Sequence, residues 1–206
     1  GPWTDELISK INPSSSNPKK TKLIKGSHII VPKIYNHKNA YIFQHKDGRI
    51  IFTIPYEKKF SLIGTTDINF NGDPSKAKIS QDEIKYLCDA VSTYFTNKIK
   101  PNDIIWTYSG VRSLFDDGNF NAKDITRDYK IDTKELNGLN YISIFGGKIT
   151  TYRKLAEEVT KIIDKYFGLK SRNWTSSKAL PGGDFSPSQF DSLLKKYSRK
   201  YSFINE

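Results

Sequence analysis

The sequence predicts a mixed α/β fold whose first half is dominated by an antiparallel sheet. Short apolar runs rich in β-branched residues alternate with turn-forming residues up to residue 66. One helical apolar pattern begins behind Ser80, and another begins directly after a strand that ends in Gly146-Gly147. The composition, with 36% hydrophobic and 27% charged residues, is that of a folded globular chain rather than a disordered one.

Four apolar runs in the first half are predicted as strands of that sheet. Their ranges are 27–32, 40–44, 49–54 and 60–66. Lys46-Asp47-Gly48 separates the second run from the third and predicts a tight hairpin, because glycine tolerates a positive φ. The segment 12–22 consists of turn formers and lysines, and it is predicted to be a loop.

The second half of the chain alternates strands with helices. Ser80 and Glu83 form a capping-box pattern, and Cys88 lies on the apolar stripe of the helix behind them, where we expect a packed core thiol. The remaining predictions are a strand at 104–108 leading into Ser109-Gly110-Val111-Arg112, an acidic loop at 116–121, a strand at 141–145, a helix at about 150–167, a boundary at 181–183 and a final helix from Ser186.

The strongest local signal for ligand binding is the glycine pair Gly146-Gly147, which is followed by Lys148, Thr150 and Thr151. Glycines let the backbone approach a ligand closely, and a helix N-terminus offers unpaired N–H groups. The spacing is not that of a P-loop. The pattern predicts a site for a phosphate or an electron-rich ring oxygen, and a simple glycine turn with a capping threonine is the alternative.

Three cations and one histidine are candidates for chemistry. Arg112 and Arg127 lie at predicted strand ends or turns, and with Lys148 they form a cationic cluster if those ends converge. Such a cluster requires an anion, since its members repel one another. A surface salt bridge, such as Arg127 with Asp128, is the alternative for each arginine. His28 lies in an otherwise apolar strand and is either a general base or a satisfied core histidine.

The net charge and the cysteine and histidine content limit which binding partners, disulfides and metal sites are expected. The net charge is +11, and the basic excess lies in residues 1–50 and 151–206, which favours nucleic acid, anionic lipid or anionic small molecules. No nucleic-acid-binding motif appears, so nucleic acid is not expected and a basic binding module stays an alternative. The single cysteine and the three histidines lack metal-ligand spacing, so neither a disulfide nor a metal site is predicted.

Five motifs occur in an order and spacing that resemble the aerobic, FAD-dependent glycerol-3-phosphate dehydrogenases. They are Lys25–Pro32, Ile63–Asp67, Tyr108–Arg112, Ile125–Tyr129 and Phe145–Ala156. Gly1-Pro2-Trp3 also resembles the end of that family's Asn-Ala-x-Gly-Pro-Trp motif in the flavin domain. The segment from Trp174 to Gly183 resembles the family's passage into its C-terminal helical domain. The resemblance therefore extends over nearly the whole chain.

This resemblance implies a fold in four parts. They are a remnant of the FAD domain with a linker at 1–23, a substrate-binding antiparallel-sheet domain with one inserted helix and a return toward the flavin at 24–135, the strand, glycine pair and helix of the FAD domain at 136–170, and a linker with the start of a helical C-terminal domain at 171–206. The family's G-x-G-x-x-G motif, which holds the ADP part of FAD, is absent from this sequence. We therefore expect a central and C-terminal fragment that is inactive by itself.

The resemblance also implies roles for individual residues. The enzyme would oxidise sn-glycerol 3-phosphate to dihydroxyacetone phosphate with FAD as its cofactor. The catalytic residues would be His28, a candidate base near the substrate carbinol, and Arg112. The substrate-binding residues would be Arg127 on the phosphate, Lys148 and Thr150. The cofactor-binding residues would be Gly1, Arg112, Gly146, Gly147, Lys148, Ile149 and Thr150. Ser113 departs from the family pattern, which often has proline after this arginine.

Partners and location follow from the resemblance as expectations. Electrons would pass to a quinone, and the enzyme would be cytoplasmic, peripheral to the inner membrane and in contact with an anionic membrane surface. A homodimer is a further expectation for the full-length enzyme. The alternative within the same superfamily is another FAD-dependent oxidase, such as a glycerophosphate oxidase. Arg127 and Lys148 favour a phosphorylated substrate over an amine, but they do not distinguish oxygen from quinone as the acceptor.

Overall fold

The computed structural model describes residues 1–13, 21–116, 118 and 125–203. The chain divides into two compact units, Gly1–Thr151 and Tyr152–Glu206. The first unit contains α1 (Thr4–Ile11), β1 (Thr21–Pro32), β2 (Tyr41–Gln44), β3 (Ile50–Tyr56), β4 (Phe60–Gly64), β5 (Ile68–Asn69), α2 (Gln81–Ser92), β6 (Trp106–Phe115), β7 (Tyr129–Leu136) and β8 (Leu139–Gly146). The second unit contains α3 (Tyr152–Phe167) and α4 (Phe190–Lys200).

The long strand β1 is the centre of a six-stranded antiparallel sheet. Along one side it pairs first with β5, at Ile24 and Lys25, and then with β4, from His28 to Pro32. Along the other side it pairs with β6 over its residues Thr21–Ile30. The strands β3 and β2 extend the sheet beyond β4. Because β1 has neighbours on both sides, its register is fixed along nearly its whole length.

Side chains alternate between the two faces of this sheet. The odd-numbered residues of β1 face α2, and Ile29 and Val31 lie in its apolar core. The other buried members of that core are Ile51, Ile63, Leu87, Cys88, Ala90, Val91 and Ile99. The capping box predicted at the start of α2 is present, with Ser80 and Glu83 bonded reciprocally. Cys88 is buried as expected, and burial together with two nearby aspartates raises the pKa of its thiol to about 11.

The strands β7 and β8 form a separate two-stranded sheet. A two-residue turn, Asn137-Gly138, joins them, and both residues have positive φ, 53° and 77°. This is the requirement of a type I′ turn, which matches the twist of an antiparallel hairpin. The strand β8 corresponds to the run predicted at 141–145, whereas β7 was not predicted.

The second unit is helical, and two carboxylates organise its polar contacts. Glu157 accepts hydrogen bonds from Arg153 and from Thr175, which fastens the segment after α3 to that helix. Asp164 accepts from both the backbone N–H and the hydroxyl of Ser171. None of the described helices combines the length and the apolar character that a membrane crossing requires.

The prediction of a mixed α/β fold with antiparallel sheet is confirmed, with three local corrections. The strand β1 begins at Thr21, so the predicted loop at 12–22 is wrong at its end, and its residues 14–20 lie outside the described part. The helix α1 was not predicted, and β6 runs on through Arg112 to Phe115 instead of ending before Ser109. Most of the acidic loop predicted at 116–121 lies outside the described residues. The domain boundaries stay predictions.

Candidate functional site

A single carboxylate connects two arginines that are far apart in sequence. Asp67 lies between β4 and β5, and its Oδ1 accepts a hydrogen bond from Arg112 Nη1 at 2.7 Å. Its Oδ2 accepts from Arg127 Nη2 at 3.3 Å. Arg112 is 45 positions and Arg127 is 60 positions away along the chain. The structure therefore brings the two arginines together, and Asp67 is the residue that joins them.

The Arg112 guanidinium lies over Gly26 of β1. Its Nη2 donates to Thr65 Oγ1 at 3.3 Å, and its Nη1 covers the backbone of Gly26. A Cβ at Gly26 would be only 2.5 Å from Nη1, so no larger residue fits without moving the guanidinium. Burial lowers the pKa of Arg112, as does neighbouring Arg127, while Asp67 opposes the change. Because the guanidinium is a very strong base, Arg112 remains protonated and positively charged at neutral pH.

The predicted glycine and cation residues surround one open pocket of about 460 Å³. Its lining residues are Arg112, Ser113, Leu114, Arg127, Gly147, Lys148, Ile149 and Thr150. Lys148 Nζ lies 3.9 Å from Asp128 Oδ1, and the side chain of Asp128 is 84% exposed. A pair so long and so hydrated contributes little, so the Lys148 side chain is available to a ligand.

Gly146 and Gly147 turn the chain sharply at the end of β8. Their φ values are +69° and +94°, which side chains rarely tolerate. A Cβ at Gly146 would lie 2.8 Å from the carbonyl oxygen of Asp128. The glycine pair is therefore required by the backbone, and it brings Lys148 to the pocket. Gly146 itself is adjacent to the lining residues and is not one of them.

His28 occupies the same face of the sheet as Arg112, outside the pocket lining. Its ring stacks on Tyr108 with centroids 4.7 Å apart and an interplanar angle of 7°. Its Nδ1 is buried, and no described residue forms a hydrogen bond with that atom. Burial, and secondarily the charge of Arg112, lowers its pKa. The imidazole is therefore neutral at pH 7 and can accept a proton.

Gly64 makes room for the His28 ring. The two residues are directly paired across β4 and β1, and a Cβ at Gly64 would lie 2.1 Å from His28 Cδ2. Tyr108 is paired with His28 from the other side, on β6. The His28 ring is therefore fixed between two neighbouring strands. It fills the room that Gly64 leaves on one side and stacks on Tyr108 on the other.

A buried polar network on the opposite face of the sheet supports the loop that carries Asp67. Glu83 accepts hydrogen bonds from Ser27 at 2.8 Å and Thr66 at 2.7 Å, and it forms an ion pair with Lys25 at 2.8 Å. Burial acts to raise the pKa of Glu83, but these hydrogen bonds outweigh it and the pKa is lowered. Thr66 is thereby fixed, and with it the position of the next residue, Asp67.

Gly1 is not brought together with the other predicted cofactor residues. Its backbone nitrogen donates to Thr4 Oγ1 at 3.0 Å at the start of α1. It lines a different surface depression, formed by α1 with Trp3 and Leu7. Among the described residues, no group of three or more His, Cys, Asp or Glu side chains is arranged to hold a metal ion.

Residues 1–153 match the family model described as FAD dependent oxidoreductase. The chain belongs to this family. Sequence similarity to curated oxidoreductases extends over its whole length. The aerobic glycerol-3-phosphate dehydrogenase of Escherichia coli (strain K12) is 42% identical over 100% of this chain and 41% of its own length. The D-erythritol 1-phosphate dehydrogenase of Brucella abortus (strain 2308) is 40% identical over 99% of this chain and 40% of its own.

One solved structure of a relative is similar to the structure of this chain. The glycerol-3-phosphate dehydrogenase from Bacillus halodurans, complexed with FAD, has a TM-score of 0.79 and 28% identity, covering 98% of this chain and 38% of that one. The resemblance predicted from the five motifs is thus confirmed. The chain spans about 40% of the length of the curated relatives it matches.

Residues of this chain fit the flavin ring of the family's FAD cofactor. Gly26 and Gly110 are paired between the row of His28 and the row of Arg112, and a Cβ at Gly110 would meet nothing within 4 Å. The sheet is therefore an open floor at Gly110, beside the Arg112 guanidinium that covers Gly26. Such a surface suits a planar, electron-rich ring, and the neighbouring pair His28 and Tyr108 borders it. The ADP part has no matching glycine motif in this sequence.

Two residues of the site were missed by sequence reasoning. Asp67 was quoted as the last residue of a family motif but received no role, and Glu83 was interpreted only as a helix cap. Both act through contacts between segments that are distant in sequence. The available signal was the position of a carboxylate directly after two threonines at the end of a strand.

Proposed function

We propose that this chain supplies the substrate-binding side of an FAD-dependent sn-glycerol-3-phosphate dehydrogenase. The observation that carries the proposal is the pocket in which Arg112, Arg127 and Lys148 converge. Two of these cations, the arginines, share the half-buried carboxylate of Asp67, and Lys148 lies beside the exposed Asp128, so the pocket has an excess positive charge. A phosphate dianion balances that charge and can accept hydrogen bonds from arginine side chains. The relatives named for phosphorylated polyols support the same substrate class.

The chain's residues suit the oxidation of a secondary carbinol. His28 is neutral, and because its Nδ1 is buried, Nε2 is the nitrogen that exchanges protons. In the proposed reaction Nε2 takes the proton of the carbinol hydroxyl while the C–H bond is broken and its electron pair leaves as hydride, giving the ketone, dihydroxyacetone phosphate. FAD, when bound, supplies the two-electron acceptor for that hydride. Arg112 provides positive charge beside the floor on which the ring would lie.

D-Erythritol 1-phosphate is a second candidate substrate. The relative named for it is 40% identical to this chain, almost as similar as the 42% identical glycerol-3-phosphate dehydrogenase. Both substrates place a phosphate and a nearby carbinol on a polyol. The pocket described here recognises the phosphate, which the two share. Comparison of initial rates with the two substrates, using the full-length enzyme, decides between them.

Several finer expectations extend the proposal. We propose quinone as the electron acceptor, a homodimer, and a cytoplasmic location on the inner membrane, where the net charge of +11 favours an anionic surface. An oxidase acting on glycerol 3-phosphate would instead release hydrogen peroxide. A peroxide assay alongside reduction of a quinone analogue separates the two acceptors, and sedimentation with anionic against neutral vesicles checks the membrane contact.

Calorimetric titration of the chain tests the substrate class directly. We expect sn-glycerol 3-phosphate to bind and glycerol not to bind, because the pocket recognises the phosphate. Arg127→Ala should weaken binding by about tenfold or more, since it removes a charged hydrogen-bond partner. Lys59→Ala removes the same charge from an exposed turn between β3 and β4 and should leave the affinity unchanged. Equal binding of glycerol, or no binding of either compound, would contradict the proposal.

A further inference from the structure

Asp67 is unusual among the charged groups of the pocket because it is a shielded anion among cations. Its side chain is 15% exposed, compared with 32% for Arg112 and 36% for Arg127. Each of its oxygens contacts a different guanidinium. A carboxylate beside an anion-binding pocket repels a negatively charged ligand. Asp67 must therefore contribute something other than direct attraction of the ligand.

From this geometry we propose that Asp67 is the positioning residue of the phosphate pocket. It holds the guanidiniums of Arg112 and Arg127 side by side before any ligand arrives. Two free guanidiniums would repel each other and sample many rotamers, and a ligand would have to order both. The inference rests on the proposed function, since it concerns how the same pocket binds its phosphorylated substrate.

The arginines keep donors available beyond those that Asp67 occupies. A guanidinium has five N–H donors, and Asp67 uses one Nη group of each arginine. Thr65 takes a contact from the second Nη of Arg112. Within the described part of the chain, Arg127 forms no hydrogen bond other than that with Asp67. The remaining edge of Arg127 therefore stays open to a phosphate while Asp67 still holds its other edge.

The pocket keeps a positive excess with Asp67 in place. Arg112, Arg127 and Lys148 contribute three positive charges around it, while Asp67 and the exposed Asp128, 3.9 Å from Lys148, contribute two negative charges. Asp67 therefore positions the arginines without cancelling the attraction of the pocket for an anion.

Asp67 is itself held by the protein. The preceding residue, Thr66, is buried and donates to Glu83 at 2.7 Å, while its Oγ1 also accepts the backbone N–H of Ser27 at 2.9 Å. Thr65, one residue earlier, contacts the same guanidinium as Asp67. The carboxylate therefore projects from a segment that is anchored in the core, as a positioning group requires.

Positioning and simple electrostatics make opposite predictions for Asp67→Asn. Removal of a negative charge should tighten anion binding if charge alone matters. We expect instead that calorimetric titrations of the full chain with inorganic phosphate and with sn-glycerol 3-phosphate show affinities weakened by about tenfold or more. Asp128→Asn is the matched control, because Asp128 lies 3.9 Å from Lys148 and positions no arginine. It should leave affinity within about twofold or tighten it slightly.

Two further measurements separate positioning from fold stability. Asp67→Glu keeps the charge but displaces the carboxylate by one methylene, and we expect a several-fold loss of phosphate affinity. The side-chain N–H resonances of Arg112 and Arg127 should show hindered rotation in the unmutated, ligand-free protein and free rotation in Asp67→Asn. Melting temperatures are recorded for every variant, and Asp67→Glu decides the question if Asp67→Asn unfolds.

The outcomes distinguish this inference from the function on which it rests. Phosphate binding that is unchanged or tighter in Asp67→Asn, or in Asp67→Glu if the first variant unfolds, overturns the positioning role and leaves the proposed function intact. Free rotation of both guanidiniums in the unmutated protein overturns it as well. Failure of the unmutated chain to bind either phosphate compound overturns the proposed function and the inference together.

Discussion

The two faces of the six-stranded sheet carry different kinds of residues, although the same strands form both. The face against α2 is filled by an apolar core and by the buried network around Glu83. The opposite face carries His28 and Arg112 together with exposed aromatic side chains such as Trp106. The first face fixes where the strands lie, and the second presents chemistry on that fixed frame. Along β1, residues that face the α2 core therefore alternate with residues of the His28 face, where Ile24 and Ile30 are also buried.

The largest effect is expected from Glu83→Ala, on the face against α2. The substitution leaves the Lys25 ammonium with the Lys78 carbonyl oxygen but without its carboxylate, and it removes the acceptor of Ser27 and Thr66. Breaking a buried ion pair in this way costs about 3–5 kcal/mol in the free energy of unfolding. Urea denaturation followed by circular dichroism measures it. Asp82→Ala, one residue earlier and exposed, should cost only about 0.3–1 kcal/mol; equal losses would show that the network is not special.

A matched pair of isoleucines compares the two faces directly. Ile63 is fully buried in the core, whereas Ile54, on the neighbouring strand, points to the opposite face and is 37% exposed. Ile63→Ala should lower the free energy of unfolding by about 2–5 kcal/mol because it leaves a cavity. Ile54→Ala should cost clearly less, since its surroundings are open to water. Similar values for the two variants in the same denaturation experiment would contradict the division between the faces.

Gly64→Ala tests whether the functional face is sterically defined. The new methyl group would collide with the His28 ring, and overpacking of this kind costs about 1–3 kcal/mol. The ring should also leave its stack on Tyr108, which changes the chemical shifts of the His28 ring protons. Gly110→Ala is the control, because a methyl group there meets nothing within 4 Å and should be neutral or slightly stabilising. Unchanged His28 shifts in Gly64→Ala would refute the steric argument.

The smallest effect concerns the pH dependence of His28. Burial first, and Arg112 second, lowers its pKa below the ordinary value of 6.5. The folded state therefore binds fewer protons than the unfolded state, so the stability that His28 contributes is complete above pH 6.5 and declines as the pH falls below it. An NMR titration of the ring should give a pKa below 6.5, and His28→Gln should remove this part of the acid sensitivity. A measured pKa above 6.5 would reverse the expected sign.

Local patterns were sufficient to predict much of the frame. The capping box at Ser80, the hairpin at Lys46-Asp47-Gly48 and most strands follow from residues close together in sequence. The strand β7 was missed although Asn137-Gly138 is a strong type I′ turn signal. Here the information was present in the sequence. A strand recognised on one side of an Asn-Gly turn predicts a partner strand on the other side of that turn.

The candidate site was predictable only in part. The Gly146-Gly147 turn and the cations near it could be identified because glycine requirements and charge are local properties. That Arg112 and Arg127 meet at Asp67 depends on a long strand, a loop and a distant turn converging in space. No periodicity or spacing encodes such a convergence. The role of Asp67 therefore emerges only from the tertiary structure.

The double pairing of β1 also has a consequence for how the sequence can change in length. Its partners on both sides fix the register, so a single inserted or deleted residue within 21–32 would exchange the two faces beyond that point. Such a change would turn core isoleucines toward water and bury His28 against α2. The hairpin turn after β2 has no such restriction. Natural length variation among homologous chains should accordingly be concentrated at that turn and be excluded from β1.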